Sequence, residues 1–310
     1  MIVPMYATTS AQVVTKLVEV REEGGVSALG RVLTLVIHCP PAEIEASVQS
    51  ANSASMEHPC RIILVTAEDP EGPPAMDAQI RVGSDAGASE VVVLRVRGEP
   101  GEHLDAVVTP LLLPDTPVVV WWPAGRPDVP AESPLGRLAE RRITDAQRSG
   151  ERMAALHQLA EGYRPGDTDL AWTRLTPWRA ELAAALSIPP RERVTSATVS
   201  GPAGPSTDLM AVWLGTRLGV PVRCTVSTTD YINSVALHRA GGGRLLLDKE
   251  NQETGARLRI TDQPDRVVAL GRRSRAESLA EELRRLEPDV AYGNLVTQNL
   301  PVFLAKQAAA

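Results

Sequence analysis

Apolar positions fall into two recurring patterns along this chain. Short, dense β-branched runs read as buried strands, and longer amphipathic stretches read as the helices between them. Residues 9–23 predict the first helix, with Thr9 and Gln12 as a capping box and Val14, Leu17 and Val18 pointing inward beside Arg21. Gly24-Gly25 is expected to stop it. VLTLVIH (32–38) and CRIILVTA (60–67) read as strands, and Pro40-Pro41 opens a helix between them that runs to about Glu57. MDAQIRVG (76–83) alternates apolar and polar, as a half-buried or edge strand does, while SEVVVLRVRG (89–98) is more apolar and more central. A helix over 102–113 ends at Pro114, and TPVVVWWP (116–123) is the next strand.

After a proline-rich stretch at 123–134, helices are expected over 135–142 and around 152–162. Thr176 is placed to cap a further helix whose first position is Pro177 and whose inner face holds Trp178, Leu182, Ala185 and Leu186. The last third has a strand–helix–strand rhythm: a strand at 193–201, a helix at 206–218 with Leu209, Val212, Trp213 and Thr216 on one face, and a strand at 221–227. That spacing favours parallel pairing with a right-handed crossover. Strands at 233–238, 243–248, 256–261 and 266–270 then read as an antiparallel meander. Ser274 and Glu277 suggest one more capping box, ahead of a stripe of Leu279, Leu283 and Leu286. The expected fold class is α/β with two domains, mixed β-sheets covered by helices and a C-terminal antiparallel meander. The expected domains are 1–160 and 165–310.

Composition sharpens this. The 310 residues are 43% hydrophobic and 23% charged, ordinary globular usage, so the chain can bury a full core. Aromatics are only 3%, which leaves Val, Leu, Ile and Ala as the apolar mass and suits sheets under helices. A net charge of −6 argues against a broad nucleic-acid footprint. No run is long enough to span a membrane, and no secretory leader is visible. Three cysteines, Cys39, Cys60 and Cys224, are no disulfide framework and suit a reducing compartment. The expected location is the cytoplasm. If the strands of Cys39 and Cys60 neighbour each other, the two thiols could approach; the sequence does not display whether they reach disulfide distance.

A search for chemistry returns little. No phosphate-binding loop, dinucleotide fingerprint, nucleophile elbow or paired metal ligands stand out, so no cofactor and no metal are expected. The loop Gly201-Pro202-Ala203-Gly204-Pro205-Ser206 leads from a strand into a helix. Its amides, with Ser206 and Thr207, form a candidate anion site around Gly201 and Gly204; the plain alternative is a tight turn with a hydroxyl cap. Trp121-Trp122 ends a strand and enters a loop carrying Arg126. Adjacent strand residues face opposite ways, so an outward Trp beside Arg126 would make a candidate partner interface; the alternative is that helices cover both indoles.

Several long runs carry a family likeness. REEGGVSALGRVLTLVIH (21–38), EHPCRIILV (57–65), DAQIRVGSDAGASEVVVLRVRG (77–98), TPLLLPDTPVVVWWP (109–123) and DLAWTRLTPWRAEL (169–182) resemble the OpcA family of glucose-6-phosphate dehydrogenase assembly proteins, and the strand–loop–helix unit at 193–228 continues the pattern. The resemblance implies a non-catalytic assembly factor and allosteric activator that binds the glucose-6-phosphate dehydrogenase oligomer of the oxidative pentose phosphate pathway. It supplies no catalytic residues. The competing expectation is a sugar-phosphate-binding enzyme or metabolite sensor that uses the loop at 201–207.

Overall fold

A computed structural model describes residues 1–24, 32–82, 90–148, 151–189, 191–249 and 255–308. The chain divides into two compact units. The first holds residues 1–148, 164–168 and 275–289; the second holds 149–163, 169–274 and 290–310.

The first unit is built on an eight-stranded sheet in the order β1-β4-β5-β3-β2-β6-β7-β8. These are β1 (Ile2–Met5), β2 (Leu33–His38), β3 (Cys60–Glu68), β4 (Ala75–Arg81), β5 (Glu90–Arg97), β6 (Val118–Trp121), β7 (Arg141–Thr144) and β8 (Asp167–Asp169). β5, β3, β2, β6 and β7 run parallel, whereas β4 and β1 add antiparallel at one edge. The central strands are apolar on both faces because both faces are covered. On one face Val36, Ile63, Val65, Leu94, Val120 and Trp122 meet three helices. These are α1 (Ser10–Gly24), α3 (Leu104–Val108) and α4 (Pro134–Arg137). On the other face α2 (Ile44–Ser55) packs against β3 and against α9 (Arg275–Leu283). Alternation sends Ile37, Leu64 and Trp121 to that side.

The capping box forms: the Thr9 amide donates to Gln12 Oε1 at 2.9 Å, and the Gln12 amide donates to Thr9 Oγ1 at 3.3 Å. The buried stripe of α1 is Val13, Leu17 and Val20, while Val18 is 45% exposed, so the inward face is rotated from the expected one. Of the expected glycine stop, Gly25 lies outside the described residues. The expected helix over 102–113 is instead α3 between two short 3-10 turns, since Pro110 has no N–H to bond back to Ala106 and so breaks the ladder. The expected helix over 135–142 ends at Arg137, and Arg141–Thr144 is a strand. There Arg141 pairs with Glu282 and Arg142 with Asp167, all four buried, so charged residues occupy what the pattern read as a helix surface.

The second unit holds a six-stranded sheet in the order β10-β9-β11-β12-β13-β14. β9 (Val194–Gly201), α8 (Pro205–Leu218) and β10 (Val222–Val226) form the expected crossover, with the strands parallel. β11 (Ser234–Arg239), β12 (Arg244–Asp248), β13 (Gly255–Ile260) and β14 (Arg266–Ala269) form the antiparallel meander. Helices α5 (Arg152–Glu161), α6 (Leu170–Thr173), α7 (Thr176–Leu186), α10 (Val290–Asn294) and α11 (Leu300–Ala308) complete the unit. Trp178, Leu182 and Ala185 are buried as expected, but the cap of α7 is Leu175 and Thr176 makes no capping bond. On α8 burial extends beyond one stripe, from Pro205 through Val212 and Leu214.

Candidate functional site

The parallel sheet of the first unit contains a reversal of winding. From β2 the chain crosses to β3 on one side, and from β6 it crosses to β7 on the other. A crevice opens where neighbouring connections leave in opposite directions, at the C-terminal ends of the strands. A cavity of about 610 Å³ lies there. Its walls come from His38 and Cys39 at the end of β2, Ala67 at the end of β3, Gly101 and Leu104 after β5, and Trp122, Ala124, Gly125, Arg126 and Pro127 after β6, among others.

Successive residues His38 and Cys39 leave the strand on opposite sides. Burial pushes the His38 imidazole below its usual range, so it is neutral at pH 7. The Cys39 thiol is pushed up to about 11, first by burial; a Ser47 hydrogen bond and the Arg275 charge oppose the rise and the Glu43 charge adds to it. At pH 8 such a thiol is ionised to roughly one part in a thousand, and the thiolate is the reactive form. Iodoacetamide at pH 8 is therefore expected to modify the half-exposed Cys224 well before Cys39 or Cys60, both buried, as intact-mass spectrometry would show. Equal labelling of Cys39 and Cys224 would contradict this.

Cys39 and Cys60 do lie on neighbouring strands, but the strands are parallel and Leu33 is level with Cys60. Cys39 sits six residues further along, about 20 Å away at ~3.3 Å per residue. The expected approach of the two thiols is thus overturned by strand direction, and the cysteines form no disulfide.

The two indoles point to opposite faces, yet both are covered. Trp121 is 0% exposed, with the Arg275 guanidinium 5.7 Å from its ring centre, and Trp122 is 3% exposed in the core beneath α3 and α4. The outward tryptophan is corrected: Trp121 lies on the face where α2 packs with α9, and Arg275 of α9 sits over its ring. Trp122 and Arg126 come together instead in the cavity wall. The Arg126 guanidinium donates to the carbonyls of Pro127 at 3.2 Å and Asp128 at 2.9 Å, which braces its own loop.

The loop at 201–207 closes tightly. A Cβ on Gly201 would lie 2.7 Å from Thr207 Oγ1, and that hydroxyl donates to the Pro202 carbonyl at 2.7 Å. Gly204 is the cap position and makes no side-chain capping bond, so the expected hydroxyl cap is absent. Ser206 and Thr207 are buried, and Asp208 is fully buried in the first turn of the same helix. Among the described residues, no three of His, Cys, Asp and Glu gather as metal ligands, and no helix is long and apolar enough to cross a membrane.

Known proteins add the family. Residues 51–161 match the OpcA model described as the glucose-6-phosphate dehydrogenase subunit N-terminal domain, and residues 165–296 match the corresponding C-terminal domain. The chain belongs to the OpcA family. A Synechocystis sp. protein named as the OxPP cycle protein OpcA is 32% identical over 158 residues, which covers 46% of this chain and 32% of that protein. This OpcA chain therefore aligns with about a third of that relative's length. A crystal structure titled glucose-6-phosphate 1-dehydrogenase from Mycobacterium avium aligns with 88% of this chain and 92% of its own, at 10% identity and a TM-score of 0.43. An E. coli structure whose title names trehalose-6-phosphate and bound UDP-2-fluoro glucose aligns with 64% of this chain and 66% of its own, at 13% identity and 0.21. At those scores neither shows a shared fold.

His38 was not singled out by the sequence, and neither was the cavity. The usable signal was positional: strand-end residues ahead of turns. Turning it into a site requires the strand order, which a single sequence does not display.

Proposed function

We propose that this OpcA chain binds glucose-6-phosphate dehydrogenase in the cytoplasm, promotes its assembly and activates it, without catalysing a reaction itself. The observation that carries the reading is the match of both halves of the chain to models described as domains of a glucose-6-phosphate dehydrogenase subunit. The cavity is compatible with it. Its cysteine is held protonated, and its neutral histidine leaves the strand on the opposite side, so the two do not form a nucleophile–base pair.

Activation then has one physical origin: tighter binding to the active form of the enzyme than to the inactive form. Linkage requires that glucose 6-phosphate, if it favours the active form, tighten the factor's binding by the same factor by which the factor tightens the substrate's, commonly about 5–150-fold. The test mixes the purified chain with its host's dehydrogenase. Co-elution on size exclusion, a higher dehydrogenase rate in the joint peak, and tighter calorimetric binding with substrate present are expected. Equal affinities with and without substrate would leave assembly alone, whereas separate elution with unchanged rates would overturn the reading. A control titration of the chain with glucose 6-phosphate alone tests the competing sensor at 201–207.

A further inference from the structure

We propose that the cavity at the C-terminal ends of β2, β3 and β6 is a binding site for a small uncharged ligand with a flat ring, of the nucleobase or nicotinamide kind and without a phosphate. The proposal is independent of the docking reading, because a ring-binding cavity would stand even if the dehydrogenase proved indifferent to the chain.

Place and size come first. The crevice at a reversal of winding is where open parallel sheets take their ligands. A volume of about 610 Å³ falls inside the range of small-molecule pockets, roughly 300–1,000 Å³.

The chemistry of the walls then selects the class. Four of the lining residues are prolines: Pro40, Pro41, Pro127 and Pro134. Each lacks the backbone N–H that a phosphate or carboxylate would need at the start of a turn. The Ser133 hydroxyl is already committed, accepting from the Gly136 amide at 3.1 Å and donating to the Pro130 carbonyl at 2.7 Å. Arg126 braces its loop through two carbonyls, and the exposed carboxylate of Glu102 sets a negative charge in the same wall. The polar inventory thus disfavours an anion. The apolar inventory favours a flat ring, since the four prolines and the rims of Leu104 and Leu135, both anchored in the core, make the walls rigid and apolar. The neutral His38 imidazole offers one donor and one acceptor, the complement of a ring nitrogen and an exocyclic amine or amide.

The test uses adenosine and nicotinamide as neutral probes and AMP and glucose 6-phosphate as charged ones. Binding is read by saturation-transfer NMR and by backbone amide spectra of the whole chain. Two variants fill the cavity from its surface. Gly101→Leu places its Cβ 3.4 Å from the Ala67 Cβ at a backbone angle open to other residues, and Ala67→Trp adds bulk at an exposed position. At least one neutral probe is expected to bind saturably below ~1 mM, and either variant is expected to weaken it roughly tenfold or more. AMP is expected to bind no tighter than adenosine. Should a variant unfold, the parent spectra decide: ligand moves the Gly101 and Gly125 amides and leaves Gly219 and Gly242 of the second unit in place. The proposal is overturned by any of three results: no saturable binding of either neutral probe up to ~10 mM, full affinity in both folded variants, or AMP binding roughly tenfold tighter than adenosine. Shifts confined to the second unit would also overturn it.

Discussion

Replacing Glu90 with alanine is expected to destabilise the protein by about 3–5 kcal/mol, the usual loss when one member of a buried ion pair is removed. Glu90 is 1% exposed at the start of β5. Its carboxylate accepts from Arg21 Nε at 3.0 Å and Nη2 at 2.7 Å, and from Arg61 Nε at 3.2 Å. Arg61 is itself buried on β3 and also donates to the Leu111 carbonyl. One carboxylate thereby ties α1 to two neighbouring strands. Without it the guanidinium of Arg61 keeps its desolvation cost and loses its countercharge. Urea unfolding followed by circular dichroism should show the drop as a lower midpoint. Glu90→Gln keeps the shape and should fall between. The exposed pair Arg284–Glu57 is the internal contrast: both side chains are more than half exposed, so Glu57→Ala should cost no more than about 1 kcal/mol. Comparable losses at the two sites would mean that burial does not set the strength of Glu90.

The parts of this fold that were legible are those whose local pattern also decides their environment. Strands β2, β3, β5 and β6 are β-branched runs long enough for one buried strand each, and they appear where expected. The capping box at Thr9 and Gln12 is chemistry four residues long, and the crossover from β9 through α8 to β10 is fixed by connection length. What failed depends on distant partners. Arg141 and Arg142 look like a polar helix face, and only the carboxylates of Glu282 and Asp167 make a buried strand tolerable there. Residues 275–289 carry a plain amphipathic helix, and nothing local says that it joins the first unit, where Arg275 bonds Glu43 and Ser50 on the α2 side. The same return explains the tryptophans: alternation along β6 was readable, and the helix over Trp121 was not. The cavity follows this rule too. Its residues sit in five separate stretches between 38 and 135, brought together by strand order.

Trp172→Ala is expected to cost a similar amount, about 3–5 kcal/mol, by a different route. Trp172 is 1% exposed in the second unit. Its ring lies 5.9 Å from that of Tyr292, which meets Tyr163 edge-on at 5.9 Å and 74°. The Arg179 guanidinium caps the indole at 3.5 Å from its centre and is steadied by a 2.9 Å bond to Thr176 Oγ1. One side chain therefore joins α6, α7 and α10, elements too short to hold themselves together by their own ladders. Truncation removes the apolar burial, leaves a cavity beside Tyr292 and strips Arg179 of its aromatic partner. Of that total the cation–π contact contributes about 0.5–2 kcal/mol, so Trp172→Phe, which keeps a smaller ring, should recover part of the loss while Arg179→Met should cost only a fraction of it. Chemical denaturation read by tyrosine and tryptophan near-ultraviolet dichroism would rank the three. A midpoint for Trp172→Ala no lower than that for Arg179→Met would show that burial of the indole is not what binds these short helices together.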